Sequence, residues 1–251
     1  MIVLIFWMRY AVISDIHGNL HALEVVLGDI ATRGVDIILC LGDVVGYGPD
    51  PNECIAAIQA QRILTLAGNH DWAVIGRLDL DYFNPLAREA ILWTRHVLRP
   101  EGRAFLESLP LEHRVGEILA VHGSPRDPIH EYVLDGNTAL ANFLSHDFQI
   151  CLIGHSHIPG VFAYMGEERV AFRQLPEGSP FALSPDHRYI LNSGSVGQPR
   201  DGDPRAAYLI VDTALRSATL IRLEYPFRKT QQKMLKAGLP WPLAERLAYG
   251  L

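Results

Sequence analysis

Three short apolar runs in the first third of the chain, at residues 9–14 (RYAVIS), 35–41 (VDIILCL) and 63–67 (ILTLA), alternate with stretches of helical spacing. Between the first two, Leu20, Leu23, Val26, Leu27 and Ile30 share one face of a helix predicted over 20–32, with Gly34 as its stop. A second helix is predicted over 52–60. This β-α-β-α-β order demands a parallel sheet. Runs with so few polar interruptions fit strands covered on both faces. In open α/β sheets, sites form outside the carboxyl ends of the strands, so the residues just after each run are where chemistry is expected.

Those residues are polar. The first run ends in Asp15-Ile16-His17-Gly18-Asn19, the second in Gly42-Asp43 and the third in Gly68-Asn69-His70-Asp71. Two later strand-like runs, 117–121 and 148–153, end in His122-Gly123 and Gly154-His155-Ser156-His157. Taken singly, each cluster has an ordinary explanation: a turn or N-cap for Asp43, a loop for Asn69-His70, a satisfied core histidine for His122, surface histidines for the HxH pair. Taken together, five strand ends bring them to one place. Asp15, Asp43, the Asn69 amide and the imidazoles of His17, His122, His155 and His157 make an oxygen and nitrogen donor set without thiolate. That set suits a divalent transition ion, Mn²⁺ first and Fe, Zn, Ni or Co as alternatives, over Cu⁺ or an iron–sulfur cluster. Seven ligands exceed what one such ion takes and suit two, provided one carboxylate bridges. Two divalent ions carry four positive charges. The two aspartates cancel two and a bridging hydroxide a third, so the site keeps roughly one positive charge and should bind an anion.

The remaining sequence constrains partners and organisation. With 251 residues, 49% apolar and 20% charged, the chain reads as an ordinary globular protein with ample core. A net charge of −6 argues against a protein that coats nucleic acid, and oligomeric state is left open. Cys40, Cys54 and Cys151 lack CxxC spacing and read as buried thiols of a reducing, cytoplasmic compartment. Residues 1–7 form an apolar extension, too short for a membrane helix and without a basic n-region; no other segment could span a membrane. A helical insert at 73–108, with helices over 85–98 and 100–108, either caps the site or packs as core. Strands follow at 112–115 and 117–121, then a helix over 135–145 capped by Asp135 or Asn137. A hairpin is predicted at 161–164 and 168–173, a strand at 189–192, an antiparallel pair at 206–212 and 217–223, and tail helices at 227–237 and 243–248. No repeat or linker divides the chain, so one domain is expected over 1–251. The histidines at 21, 96, 113, 130, 146 and 187 read as surface or structural.

The order DxH, GDxV, GNHD, a later HG and GHxH resembles the calcineurin-like metallophosphoesterase superfamily over residues 9–160, and Gly42–Pro49 (GDVVGYGP) resembles its bacterial phosphodiesterase branch. The resemblance implies a four-layer α/β/β/α sandwich of two mixed sheets. It implies that Asp15, His17, Asp43 and His157 hold one ion, and that Asp43, Asn69, His122 and His155 hold the other, with Asp43 bridging. It implies that His70 stabilises the phosphate or protonates the leaving oxygen. The expected reaction is attack of a metal-bridging hydroxide on a small phosphate ester or nucleotide, preferably a phosphodiester or dinucleoside polyphosphate. A phosphomonoesterase or protein phosphatase using the same site, and a catalytically silent interaction scaffold, are the alternatives. A nuclease would want a basic, aromatic groove that the net charge does not support. One departure stands out. Protein phosphatases of the superfamily carry Asp-Arg three and four residues after the bridging Asp; here Gly46 and Tyr47 stand there, and Asp71 replaces the Glu of their GNHE motif. The groups that orient His70 and grip phosphate are therefore unassigned. Arg200, after the Gly-rich turn at 193–197, is the candidate cation, and Tyr47 either lies over the substrate or packs.

Overall fold

The structure, a computed structural model, describes residues 8–251, so the expected extension at 1–7 lies outside the described residues. In chain order the elements are β1 (Arg9–Ile13), α1 (Leu20–Ile30), β2 (Ile37–Cys40), α2 (Pro51–Ala60), β3 (Leu64–Thr65), α3 (Asn69–Ile75), α4 (Pro85–Val97), α5 (Pro100–Ser108), β4 (Glu112–Val115), β5 (Ile118–Val121), α6 (Gly136–Ser145), β6 (Ile150–Ile153), β7 (Gly160–Tyr164), β8 (Val170–Arg173), β9 (Phe181–Ala182), β10 (Arg188–Asn192), β11 (Ala206–Asp212), β12 (Ser217–Leu223), α7 (Phe227–Lys236) and α8 (Trp241–Glu245). A 3-10 turn at Leu80–Tyr82 precedes α4, and another at Arg246–Ala248 follows α8.

The strands form two six-stranded mixed sheets, ordered β3-β2-β1-β11-β12-β9 and β4-β5-β6-β10-β7-β8. Strands β1, β2 and β3 run parallel, as do β5, β6 and β10. The period-two alternation of β1 explains how the layers stack. Ala11 and Ile13 pack with Ala22, Leu23, Val26 and Ile30 of α1 on one side. Tyr10 and Val12 pack on the other side against Ile118, Ile150, Leu152 and Leu191, between the sheets. On the far side of the second sheet, Leu119, Cys151 and Ile190 meet Ala139 and Phe143 of α6. The result is the expected four-layer α/β/β/α sandwich, and each parallel strand is apolar on both faces because both faces are covered.

Local expectations shift or resolve in four places. The helix α1 stops at Ile30 with Ala31 as its cap, and Gly34 turns the chain three residues later at φ +61°. Asn69 opens a helix where a loop was expected: the Gly68 N–H donates to Asp71 Oδ2 at 3.0 Å, closing the first turn of α3. The two-residue strand β9 was too short to leave a periodic signal. Asp135, not Asn137, caps α6 by accepting from the Asn137 and Thr138 N–H groups. Among the described residues, no helix is long and apolar enough to cross a membrane.

Candidate metal centre

The loops after β1, β2, β3, β5 and β6 meet at one edge of the sandwich. Backbone bonds knit the first two: Asp15 N–H donates to Gly42 O at 3.0 Å, His17 N–H to Asp43 O at 2.9 Å and Gly18 N–H to Val44 O at 2.9 Å. From the other direction, Val196 N–H donates to Ser14 O and Gly197 N–H to Asp15 O, both at 2.9 Å. Tight crossing of this kind forces unusual backbone. Asp15, His17, Asp43, His155 and His157 all sit in the left-handed region, with φ between 50° and 64°. Such strain in non-glycine residues clusters at functional sites. Room is equally scarce: a Cβ at Gly154 would lie 2.0 Å from Ser14 Oγ and 2.8 Å from Asp15 Oδ2.

All seven expected ligands come together here and all are buried. Each carboxylate spends one oxygen on the backbone and leaves the other to the centre. Asp15 Oδ2 accepts the His155 N–H at 3.0 Å, while its Oδ1 is buried with no hydrogen-bond partner, 3.3 Å from His157 Nε2. Asp43 Oδ1 accepts the His70 N–H at 2.8 Å, while its Oδ2 lies 3.5 Å from both His17 Nε2 and His122 Nε2. The histidines divide their nitrogens similarly. His17 Nδ1 pairs with Val45 O at 3.1 Å, His122 Nδ1 with Leu41 O at 3.1 Å and His157 Nδ1 with Gln198 O at 2.6 Å. A carbonyl can only accept, so each Nδ1 carries the proton and each Nε2 offers its lone pair inward. That is the outer-shell arrangement typical of metal-ligating imidazoles. His155 is turned the other way: Nε2 faces His130 O at 3.4 Å, and Nδ1 lies 3.2 Å from His122 Nε2. Asn69 Oδ1 completes the cluster 3.1 Å from His122 Nε2.

Lone pairs aimed at lone pairs in a buried site call for a cation. Without one, the protein compensates with a proton. Burial disfavours a charged His122, yet Asp43 and Asp15 outweigh it and lift the imidazole to about 9. Burial and His122 together push His155 down to about 3. Burial and the charge of Asp43 raise Asp71 to about 7. Three carboxylates around facing imidazoles thus fit the expected metal, and the donor types fit a divalent transition ion.

Among the described residues, no carboxylate bonds the His70 ring. Its Nδ1 is buried without a partner against Gly46, where a Cβ would approach to 2.7 Å, and Gly46 itself has φ +129°. Ring packing holds the imidazole instead. Tyr47 is 4.5 Å away, His17 stands edge-on at 4.8 Å, and Phe83, from the insert, stands edge-on at 5.0 Å. Burial pulls His70 down to about 4 against the attraction of Asp43, so the ring is neutral at neutral pH. The insert is also anchored by Thr94, whose hydroxyl donates to Gly46 O at 2.9 Å. Tyr47 is only 6% exposed and stands edge-on to His17 at 4.8 Å. Arg200 is half-buried over the Tyr47 ring at 5.6 Å. Gln198 Oε1 accepts from its Nη2 at 2.8 Å, and no carboxylate pairs with it among the described residues. Sequence reasoning missed Phe83, Gln198 and Tyr132, whose ring stacks on His155 at 3.7 Å; none of them carries a motif signal.

Comparison with known proteins places this arrangement. Residues 8–215 match the domain model of the calcineurin-like phosphoesterase superfamily. The uncharacterized protein MJ0912 of Methanocaldococcus jannaschii is 43% identical over 248 residues, spanning 96% of this chain and 97% of its own length. Phosphodiesterase YfcE of Escherichia coli is 28% identical over 215 residues, 84% of this chain and 90% of that protein. A solved metallophosphoesterase from Sphaerobacter thermophilus has a TM-score of 0.86 and 46% identity over 98% of this chain and 100% of its own. The protein PH1004 of Pyrococcus horikoshii shares the fold, with a TM-score of 0.80 at 21% identity over 97% of this chain and 98% of its own.

Proposed function

The chain belongs to the calcineurin-like phosphoesterase superfamily, and from that premise we propose that it hydrolyses a phosphodiester or dinucleoside polyphosphate at a site for two divalent ions. The observation that carries the reading is Asp43 Oδ2, one free carboxylate oxygen equidistant from His17 Nε2 and His122 Nε2. It supports Asp43 as the shared ligand. Asp15, His17 and His157 then complete one set, and Asn69, His122 and His155 the other. When bound, two such ions, Mn²⁺ by preference, supply Lewis-acid charge and ionise water near neutral pH. The protein's own groups do the rest. His70 is neutral and has Nδ1 buried, so it presents Nε2–H to a phosphate oxygen or the leaving oxygen as a hydrogen-bond donor, and the leaving oxygen takes its proton from water. Arg200, without a carboxylate partner among the described residues, grips a non-bridging phosphate oxygen, and Gln198 fixes its direction. The preference for a diester is supported by the 28% identity to YfcE, a protein described as a phosphodiesterase. Three free, buried cysteines support a reducing, cytoplasmic setting.

The test is Mn²⁺-dependent hydrolysis of bis(p-nitrophenyl) phosphate by the wild type and Asp43→Asn, with p-nitrophenyl phosphate alongside. The wild type should cleave the diester faster than the monoester, and the variant should lose at least about 100-fold. A metal-loaded wild type inert on both esters would return the molecule to the silent-scaffold alternative. Faster monoester cleavage would make it a phosphomonoesterase.

A further inference from the structure

The mouth of the centre carries aromatic side chains for which ester hydrolysis has no use. Tyr132 lies flat on His155, with centroids 3.7 Å apart and planes 18° from parallel. With one face of the ring covered so closely, the residue is still 44% exposed. The ring is also preset. Glu131 Oε2 beside it accepts from Ser124 Oγ at 2.6 Å and from Asn142 Nδ2 at 2.7 Å, pinning the loop on both flanks. Beside this loop, Tyr82 on the 3-10 turn of the insert is 72% exposed and lies 5.3 Å from the His130 ring. Asp127 holds His130 through its N–H at 3.0 Å and its Nδ1 at 3.2 Å. Two exposed tyrosines, one from the insert and one from the loop after β5, therefore stand at the entrance, in places fixed by the chain rather than by a ligand. Both rings leave to water apolar area that tyrosine usually buries.

The geometry points to a stacking platform: the outer face of Tyr132, bordered by Tyr82, takes the nucleobase of a nucleoside phosphate whose phosphate sits at the metal centre. The stack would run base, Tyr132, His155, so base recognition and the ligand set share one ring. This rests on the phosphoesterase reading for the position of the phosphate. It makes the insert at 73–108 a selecting wall of the site through Tyr82.

The test uses the Mn²⁺-loaded full chain and two ligands that differ only by the base, adenosine 5′-monophosphate and ribose 5-phosphate, with affinities measured by calorimetry. Adenosine monophosphate should bind about tenfold more tightly, the range expected for stacking one base on an aromatic side chain. Tyr132→Leu should erase that difference and leave ribose phosphate affinity and metal content unchanged. Tyr132→Phe should keep the difference, and Tyr82→Ala should reduce it in part. Equal affinities in the wild type overturn the platform. So does a Tyr132→Leu protein that weakens both ligands alike or loses metal, because the ring then only supports His155. If Tyr132→Leu does not fold, the wild-type comparison and Tyr82→Ala decide. A base preference in a protein inert on esters would sink the hydrolase reading and leave the platform standing.

Discussion

At the floor of the site, ligand atoms are aimed by main chain: carbonyls of Val45, Leu41 and Gln198 set three imidazoles, and N–H groups of His155 and His70 set two carboxylates. At the mouth, side chains aim side chains: Gln198 holds Arg200, Asp127 holds His130, and His155 carries Tyr132. The floor is buried and strained, whereas the outermost groups of the mouth, Tyr132 and His130, are exposed. The difference teaches where each kind of change can be tolerated. Main-chain aiming cannot be edited without moving the loops, so the chemistry is fixed. Side-chain aiming can be rewritten residue by residue, so ligand preference is free to vary on the same centre.

The sharpest way to break this contrast is Gly154→Ala. The added methyl group would collide with Ser14 and Asp15, so bound Mn²⁺ by elemental analysis should drop and activity fall beyond about 100-fold. Full metal content in that variant would mean the loops yield, and the floor is softer than its geometry implies. His70→Ala should lower turnover by about 10²–10⁴ with metal content retained. Loss of metal there would make His70 a ligand.

A smaller effect tests the proton that stands in for the cation. In the metal-free protein, His122 keeps its proton up to about 9, where an unfolded histidine has released it by about 6.5. Stability from that proton is complete below about 6.5 and is lost as pH rises to about 9. Asp71, raised to about 7, loses its own stabilising proton mainly below pH 7, so most of the slope from 7 to 9 belongs to His122. The melting temperature of chelated protein should therefore fall between pH 7 and 9, while the Mn²⁺-loaded protein stays flatter. Parallel profiles would refute a proton held in place of the metal. Smallest is Gln198→Ala, which frees Arg200 at the mouth. It should raise KM about fivefold for the diester with kcat little changed. A fall in kcat instead would mean that the Gln198 side chain, and not its carbonyl alone, supports the floor.

Much of the floor was legible because a parallel strand announces its own carboxyl end: an apolar run stops and a polar cluster begins. Those five transitions placed Asp15, His17, Asp43, Asn69, His122, His155 and His157 before any coordinate did. What aims them was not legible, since Val45, Leu41 and Gln198 act through carbonyls that every residue has. The helix start at Asn69 was hidden for a related reason. Gly-Asn-His-Asp has the composition of a turn, and only the reach of Asp71 back to the Gly68 N–H turns it into a helical N-terminus. The mouth was nearly silent. Tyr132 and Tyr82 lie in stretches without periodicity, and what matters about them is which ring each one faces.

Five ligand-bearing residues in left-handed backbone carry a conformational penalty of about 1–2 kcal/mol each. Set against a total stability of about 5–15 kcal/mol, that is a standing burden on the fold. A descendant released from catalysis would be expected to shed it first, drifting toward glycine or asparagine at positions 15, 17, 43, 155 and 157 and gaining thermal robustness as it loses the ability to hold a cation. Side chains held at these positions against their own conformational preference are thus the ones whose replacement by glycine should raise the melting temperature while removing the cation site.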